Sequence, residues 1–344
     1  MTAPTARREI AVVAYAQTSF APHTRLNDAE LVMEAVTAAL DRAQLPRKEI
    51  GFCVSGSSDF LTGMPFSFVG ALDAVGAWPP IQESHVEMDG AWAFYEAWVR
   101  LLHGDIDTAL VYAFGRSSLG DLQDILVAQL DPYYLAPLGV DPNSMAALQA
   151  RALLDTGRVT ERDFADVAAR CKRTADGAPL DAPYLVAPLR AHDCPPINDG
   201  AAAIVLAAGD RARAMCKRPA WIRGIDHRIE AHSLGARDLT RSTSTAMAAV
   251  EAGVHASPIE IAELHAPYSH QELILRDALQ LGDAVAVNPS GGALAANPVM
   301  VAGLARIGEA AQHIMQGSAH RTLGHATSGP CLQQNLVCVM EAGS

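Results

Sequence analysis

Short apolar runs rich in β-branched residues alternate along this chain with stretches whose apolar positions return every three to four residues, the marks of strands and amphipathic helices in turn. Residues 9–15 (EIAVVAY) form a continuous apolar run ended by polar residues, which predicts a buried strand. Residues 28–43 place Leu31, Ala35, Ala38 and Ala39 on one helical face, with Asn27 positioned as N-cap. A second strand is expected at 50–55 (IGFCVS), a helix at 92–102 that His103, Gly104 and Asp105 break, and a strong strand at 108–114 (TALVYAF). Such alternation predicts an α/β layered protein.

Residues 116–187 depart from the pattern. Proline-rich, irregular pieces (DPYYLAPLGVDP) surround two helices expected at 143–155 and 161–173, so the segment reads as an inserted loop domain. The alternation returns at Asn198 with a turn and a strand (NDGAAAIVLAAG). It continues through a strand start at 219–226, a helix at 242–252, a strand at 259–264, a helix at 271–281 and a closing strand at 335–340. No close internal repeat is visible, yet both stretches share one rhythm. The expected organisation is an N-terminal half at 1–115 completed by 188–215, a loop domain at 116–187, and a C-terminal half at 216–344.

Residues 287–303 (VNPSGGALAANPVMVAG) carry the most local information. They run off an apolar strand at 284–287, through a turn, into a small-residue helix at 300–314. Gly291 and Gly292 permit positive φ and carry no Cβ, so a ligand can approach the backbone there, and Pro298 suits a first helical turn. A strand, a loop and a helix N-terminus in that order are a common setting for polar chemistry, with a tight structural turn as the alternative.

At 344 residues the chain is long enough for two or three units and a large core. Half its residues are hydrophobic and only 6% are aromatic, and its abundance of small apolar residues suits helices packed closely on a sheet. A formal net charge of −12 argues against nucleic acid or an anionic membrane as partner. Cys53, Cys171, Cys194, Cys216, Cys331 and Cys338 form no C-x-x-C pair, so neither a zinc site nor a disulfide framework is expected, and reduced thiols in the cytoplasm are the default. No apolar run reaches membrane-spanning length, and the opening residues lack a signal core with a cleavage site.

The stretch 287–303 resembles the C-terminal signature of thiolases, N-x-x-G-G-x-x-A-x-G-H-P-x-G-A-T-G, at Asn288, Gly291, Gly292, Ala295, Pro298 and Gly303. The turn is one residue shorter, and Asn297 stands where that family has its catalytic histidine. Residues 195–207 (PPINDGAAAIVLA) resemble the family's S-D-G-A-A-A-x-V-L-A. Residues 263–273 (ELHAPYSHQEL) resemble the E-x-H-D-x-F-x-x-x-E-L of the branch related to sterol carrier protein X and the lipid-transfer-type thiolases. His265 falls at the position that helps bind a thioester oxygen, Ala266 replaces an Asp, and Tyr268 replaces a Phe. The resemblance implies a five-layered αβαβα fold with two similar halves and an inserted loop domain, and dimerisation around residues 85–115.

It also exposes departures. Counted back without gaps from Gly104, the residues Glu87, Met88, Asp89 and Gly90 occupy the family's C-A-S-G, with Glu87 in the nucleophile's place and a slip of one to three residues possible. The second family cysteine falls near Gly329, two residues before Cys331. Claisen condensation through an acyl-enzyme needs an activated thiolate with an acid/base partner, and is not expected. What the resemblance leaves is thioester binding. His265 and Asn297 would donate to an enolate-like oxygen, Glu87, Tyr268 or His325 would be the base with Asp89 in reserve, and Gly291, Gly292, His325 and Asp89 would lie along the substrate. The implied activity is retro-aldol cleavage of a 3-hydroxyacyl-CoA with a sterol-derived side chain, with no cofactor beyond the acyl-CoA substrate. The implied partners are a second copy or another thiolase-like protein, and a small OB-fold protein of the zinc-ribbon type. A non-catalytic subunit of an acyl-CoA complex and an acyl-CoA or lipid-binding protein are the competing readings.

Overall fold

The computed structural model describes residues 8–175 and 177–343. Its strands in chain order are β1 (Ile10–Gln17), β2 (Phe52–Gly56), β3 (Glu83–Val86), β4 (Thr108–Arg116), β5 (Tyr184–Val186), β6 (Leu189–Arg190), β7 (Asp199–Ala208), β8 (Ala220–Ile229), β9 (Ile261–Leu264), β10 (Ala286–Val287), β11 (Arg321–Ser328) and β12 (Gln334–Ala342). Ten of them form one sheet in the order β10-β9-β11-β12-β8-β1-β7-β4-β2-β3, and β5 and β6 form a separate hairpin. The order is a repeat that the residues themselves do not display. From β1, two antiparallel pairings (β7, β4) are followed by two parallel ones (β2, β3). From β8, two antiparallel pairings (β12, β11) are again followed by two parallel ones (β9, β10). The halves meet where Ala11 and Val12 pair with Trp221 and Ala220.

Alternation along the strands sorts the core into layers. Val12, Val111 and Ile204 of the first half and Leu336, Cys338 and Met340 of the second face two central helices, Gly90–Leu102 and Ala302–Gln316. Their neighbours Val13, Leu110 and Val205 face the opposite way, onto Leu31, Val36 and Leu40 of the helix Asp28–Ala43. Leu264, Leu323 and Val339 likewise meet the helices Thr243–Glu251 and Ser269–Ala278. The result is five layers, αβαβα. Strand β7 is buried at all ten positions, which is why its sequence reads as an unbroken apolar run. Trp92, Phe94 and Trp98 belong to the central layer, each large buried side chain contributing roughly 1.5–3 kcal/mol.

Capping sets the long helix as expected: Asn27 Oδ1 accepts from the Glu30 N–H at 2.9 Å, and the Glu30 carboxylate accepts from the Asn27 N–H at 2.8 Å. The helix after the glycine turn begins later than its sequence suggests, at Ala302. Pro298 precedes it, bridged to Asn198, and its carbonyl accepts from Val301 and Ala302. Between β4 and β7 the helices Pro142–Asp155 and Glu161–Lys172 and the β5–β6 hairpin pack on the second half, where Ala146, Ala150, Leu153 and Phe164 join the cluster around Leu264. The helix Leu122–Ala128 lies against Pro142–Asp155 and the short first-half helix Asp59–Thr62. Among the described residues no helix is long and apolar enough to cross a membrane.

Candidate functional site

A cavity of about 590 Å³ lies between the helices inserted after β4 and the ends of the core elements, walled by Asp89, His265, Tyr268, Asn297, Thr327 and Cys331 on the core side. His265 follows the last residue of β9, and Asn297 ends the glycine turn, so strand order alone brings them together. His265 Nε2 and Asn297 Oδ1 are 3.2 Å apart, and the Thr327 N–H points at His265 Nδ1 across 3.4 Å. An N–H facing Nδ1 makes that nitrogen the acceptor, so Nε2 carries the proton and donates it to Asn297 Oδ1. The Asn297 amide is thereby oriented, and its Nδ2–H donors are the ones left for a ligand. Its own N–H donates to Asn198 Oδ1 at 3.0 Å, which anchors the turn to the start of β7. Burial pushes His265 below the usual histidine range, against the nearby Asp89 carboxylate, which pulls it up.

Asp89 is the residue at the head of the buried helix. It is the N-cap of Gly90–Leu102, with Oδ1 accepting from the Ala91 N–H at 2.9 Å. The same carboxylate accepts from Gly303 and Leu304, both at 2.9 Å, in the first turn of the other central helix. One buried side chain thus answers open N–H donors on two helices. Gly303 makes this approach possible, because a Cβ there would lie 2.6 Å from Asp89 Oδ1.

Tyr268 stands at the N-terminus of the Ser269 helix and lines the same cavity. Its hydroxyl donates to Asn143 Oδ1 at 2.9 Å, and burial raises its pKa well above the ordinary phenol value, so it is neutral. Asn143, on the inserted helix Pro142–Asp155, lines the cavity and was not foreseen from the sequence. Nothing in its neighbourhood along the chain marks it.

Four other candidates lie elsewhere. Glu87, expected at the nucleophile's place, is outside the cavity: its carboxylate accepts from the Asp59 N–H at 2.7 Å and lies 3.5 Å from His85 Nε2. Asp89, not Glu87, stands at the head of the buried helix, because β3 ends at Val86 and residues 87 and 88 turn the chain before it. His325 is a buried residue of strand β11, and its Nε2 meets Asn335 Oδ1 at 3.1 Å rather than the cavity. Gly291 and Gly292 do adopt positive φ, 101° and 62°, but they face the protein. A Cβ at Gly291 would meet the Cys171 carbonyl at 2.8 Å and one at Gly292 the Asn288 amide at 2.8 Å, so these glycines serve the turn's packing.

The fully buried His325 and His270 make a pH prediction. Burial pushes both down to about 3. Unfolded, each titrates near its ordinary value of about 6.5, so below that pH the unfolded chain binds more protons and stability falls as pH falls, by up to about 1.4 kcal/mol per unit for each ring. His325→Gln is expected to flatten the fall in urea midpoint between pH 6.5 and 4.5 relative to wild type. An unchanged slope would show that His325 is not protonated on unfolding.

No family model matches the chain. It is similar to the acetyl-CoA acetyltransferase of Methanothermobacter thermautotrophicus, at 24% identity over 94% of this chain and 95% of that protein. Among solved structures it is similar to an Ltp2-ChsH2(DUF35) aldolase, with a TM-score of 0.79 and 18% identity over 97% of this chain and 98% of that one. It is also similar to human mitochondrial 3-ketoacyl-CoA thiolase, with a TM-score of 0.75 and 15% identity over 98% of this chain and 99% of that one. At such identities structural likeness speaks for the backbone and its layers. Two like half-sheets around a pair of central helices, superposing on both neighbours over nearly their whole length, give this chain the thiolase-like fold.

Proposed function

We propose that the chain is an acyl-CoA aldol lyase, cleaving a 3-hydroxyacyl-CoA by stabilising the enolate without a covalent intermediate. The observation that carries this reading is the His265–Asn297 pair, whose fixed tautomer leaves the Asn297 amide N–H groups as donors in the cavity that Tyr268 also lines. Cleavage breaks the C2–C3 bond and sends its electron pair into the thioester, so negative charge grows on the thioester oxygen, where preorganised donors are worth several kcal/mol. The 3-hydroxyl proton must leave and C2 must gain one. Tyr268 does both in one relay, taking the hydroxyl proton as it passes its own, which turns from Asn143 Oδ1, to C2. No free phenolate forms, in keeping with a pKa raised by burial. The products are a ketone or aldehyde and a shortened acyl-CoA.

Thiolase chemistry does not suit the same residues. The helix head carries Asp89, and the cavity's cysteines, Cys194 and Cys331, are both pushed by burial up to about 12, so neither is a thiolate at neutral pH. The apolar part of the wall, including Leu126, Leu130, Met145 and Ile197, and a volume within the usual range for small-molecule sites support a bulky apolar acyl group such as a sterol side chain. The aldolase neighbour is named as a complex with a DUF35 protein, which supports a heteromer here; the small OB-fold partner of the zinc-ribbon type and the cytoplasmic location follow from the family resemblance.

The test is a reconstituted assay: the chain with such a partner, a 3-hydroxyacyl-CoA with a bulky apolar group, and mass spectrometry of both products. Tyr268→Phe is expected to lower kcat by about 10²- to 10⁴-fold with KM within a few-fold, whereas Glu87→Gln leaves both unchanged. Absence of cleavage by the wild-type complex would refute the activity. Cleavage that Tyr268→Phe leaves intact would refute the relay alone.

A further inference from the structure

The cavity has a second fixed donor that the proposed cleavage does not use. His232 lines it, and the Asp131 N–H points at His232 Nε2 across 3.1 Å. That nitrogen is therefore the acceptor and Nδ1 carries the proton, the opposite tautomer to His265. Among the described residues no protein group bonds to His232 Nδ1–H, so the donor is left for a ligand. Gln123, on the inserted helix Leu122–Ala128, lines the same cavity with its Oε1 buried and without a partner among the described residues. Buried polar atoms are almost always answered. A wall with a free donor and an unanswered acceptor therefore suits an oxygenated ligand better than a plain hydrocarbon.

The sheet sets how far this donor lies from the reacting carbons. Strands β8 and β9 are separated by β12 and β11 and run parallel, so they end at the same edge of the sheet. His265 follows the last residue of β9, and His232 comes shortly after Ile229, the last residue of β8. Three strand spacings of about 4.8 Å put the two strand ends roughly 14 Å apart. One oxygen cannot bond to both Asn297 and His232 across such a span. Leu130, Met145 and Cys331 also line the cavity, and they form one apolar cluster with Leu234, close to His232 in the chain. A hydrocarbon skeleton suits that cluster, whereas the pantetheine arm would bring amides to side chains that cannot bond to them. We propose that His232 Nδ1–H donates to a carbonyl or hydroxyl oxygen on the acyl group, remote from the thioester, and so selects oxygenated acyl groups over plain ones of the same shape. This rests on the acyl-CoA reading above. An acyl group without that oxygen leaves the donor unanswered, which is the source of the discrimination.

Calorimetric titration of the full chain, in the partner complex of the activity assay, tests it with two CoA thioesters that lack the 3-hydroxyl and so are not cleaved. Both carry the same bulky alicyclic acyl group, one with a ketone at the end far from the thioester and the other with a methylene there. Wild type is expected to bind the ketone about tenfold or more tightly. His232→Phe keeps a ring, and His232→Gln keeps an acceptor for the Asp131 N–H, but neither puts a donor where Nδ1 stands. In both variants the preference should fall to within about twofold, while the methylene thioester binds as in wild type. His232→Asn, whose amide nitrogen can take the place of Nδ1, should retain most of the preference. Unchanged binding of the methylene thioester shows that the variants are folded. A preference kept in full by His232→Phe would overturn the assignment. So would an equal loss for both thioesters, which would make His232 a part of the wall alone. Equal binding of the two by wild type would show that Nδ1–H serves water, overturning this inference and leaving the acyl-CoA reading intact. Binding of neither would overturn both.

Discussion

Asp89→Ala is expected to destabilise the protein by about 3–5 kcal/mol, among the largest effects available to a single substitution. The carboxylate is 4% exposed and accepts from Ala91, Gly303 and Leu304. Removing it leaves three N–H groups buried at the heads of two helices, each costing about 1–3 kcal/mol when unsatisfied, with some relief if water enters the space left behind. Asp89→Asn keeps one acceptor oxygen and the shape, so it should lose clearly less. Gly303→Ala should resemble Asp89→Ala without touching the carboxylate, since the added Cβ would occupy its place. Urea midpoints of the three variants check this. A loss below about 1 kcal/mol for Asp89→Ala would mean that the two helix heads find other partners and that the carboxylate is not what holds them.

The second large effect concerns rate. Asn297→Leu should lower kcat/KM for the proposed cleavage by about 10²- to 10³-fold, the usual cost of one lost oxyanion donor, with most of the fall in kcat. His265 acts here through Asn297. Its Nε2–H is already given to Asn297 Oδ1, so its replacement by Gln, which can still donate, should cost less than its replacement by Leu. Asn297→Asp puts an acceptor and a negative charge where charge must develop, and is expected to be at least as damaging as Leu. Rates within about threefold of wild type for Asn297→Leu would remove it from the enolate site.

The parts of the site that the residues announced are those carried by local pattern. ELHAPYSHQEL and the glycine turn each mark a strand end, and β9 and β10 are parallel neighbours, so His265 and Asn297 arrive at one place. Asp89 was legible in principle: an Asp before Gly-Ala-Trp-Ala is a good N-cap, and a capping argument would have chosen it over a gap-free count that favoured Glu87. Asn143 was not legible, because its role depends on how an inserted helix lies over the core. The strands β3 and β11 escaped for different reasons. β3 is a partly exposed edge strand (ESHV), and β11 (RTLGHATS) mixes buried polar residues with a glycine, so neither displays a strand's usual apolar content. That polarity also hides the place of His325, which sits inside β11 with its ring against Asn335.

The halves of this protein have one topology and unlike residues, and the Asp89 contact shows what that difference permits. The two central helices are counterparts, yet the first has a side-chain cap and the second has none, its Val301 offering nothing. Two identical half-chains meeting face to face would have to place a carboxylate at both heads or at neither. Two would repel one another across the axis, and none would leave both heads bare. Fusing the halves into one polypeptide lifts that symmetry constraint, so a single carboxylate can be shared, and the counterpart position is released to carry Val301, an apolar side chain buried in the central layer.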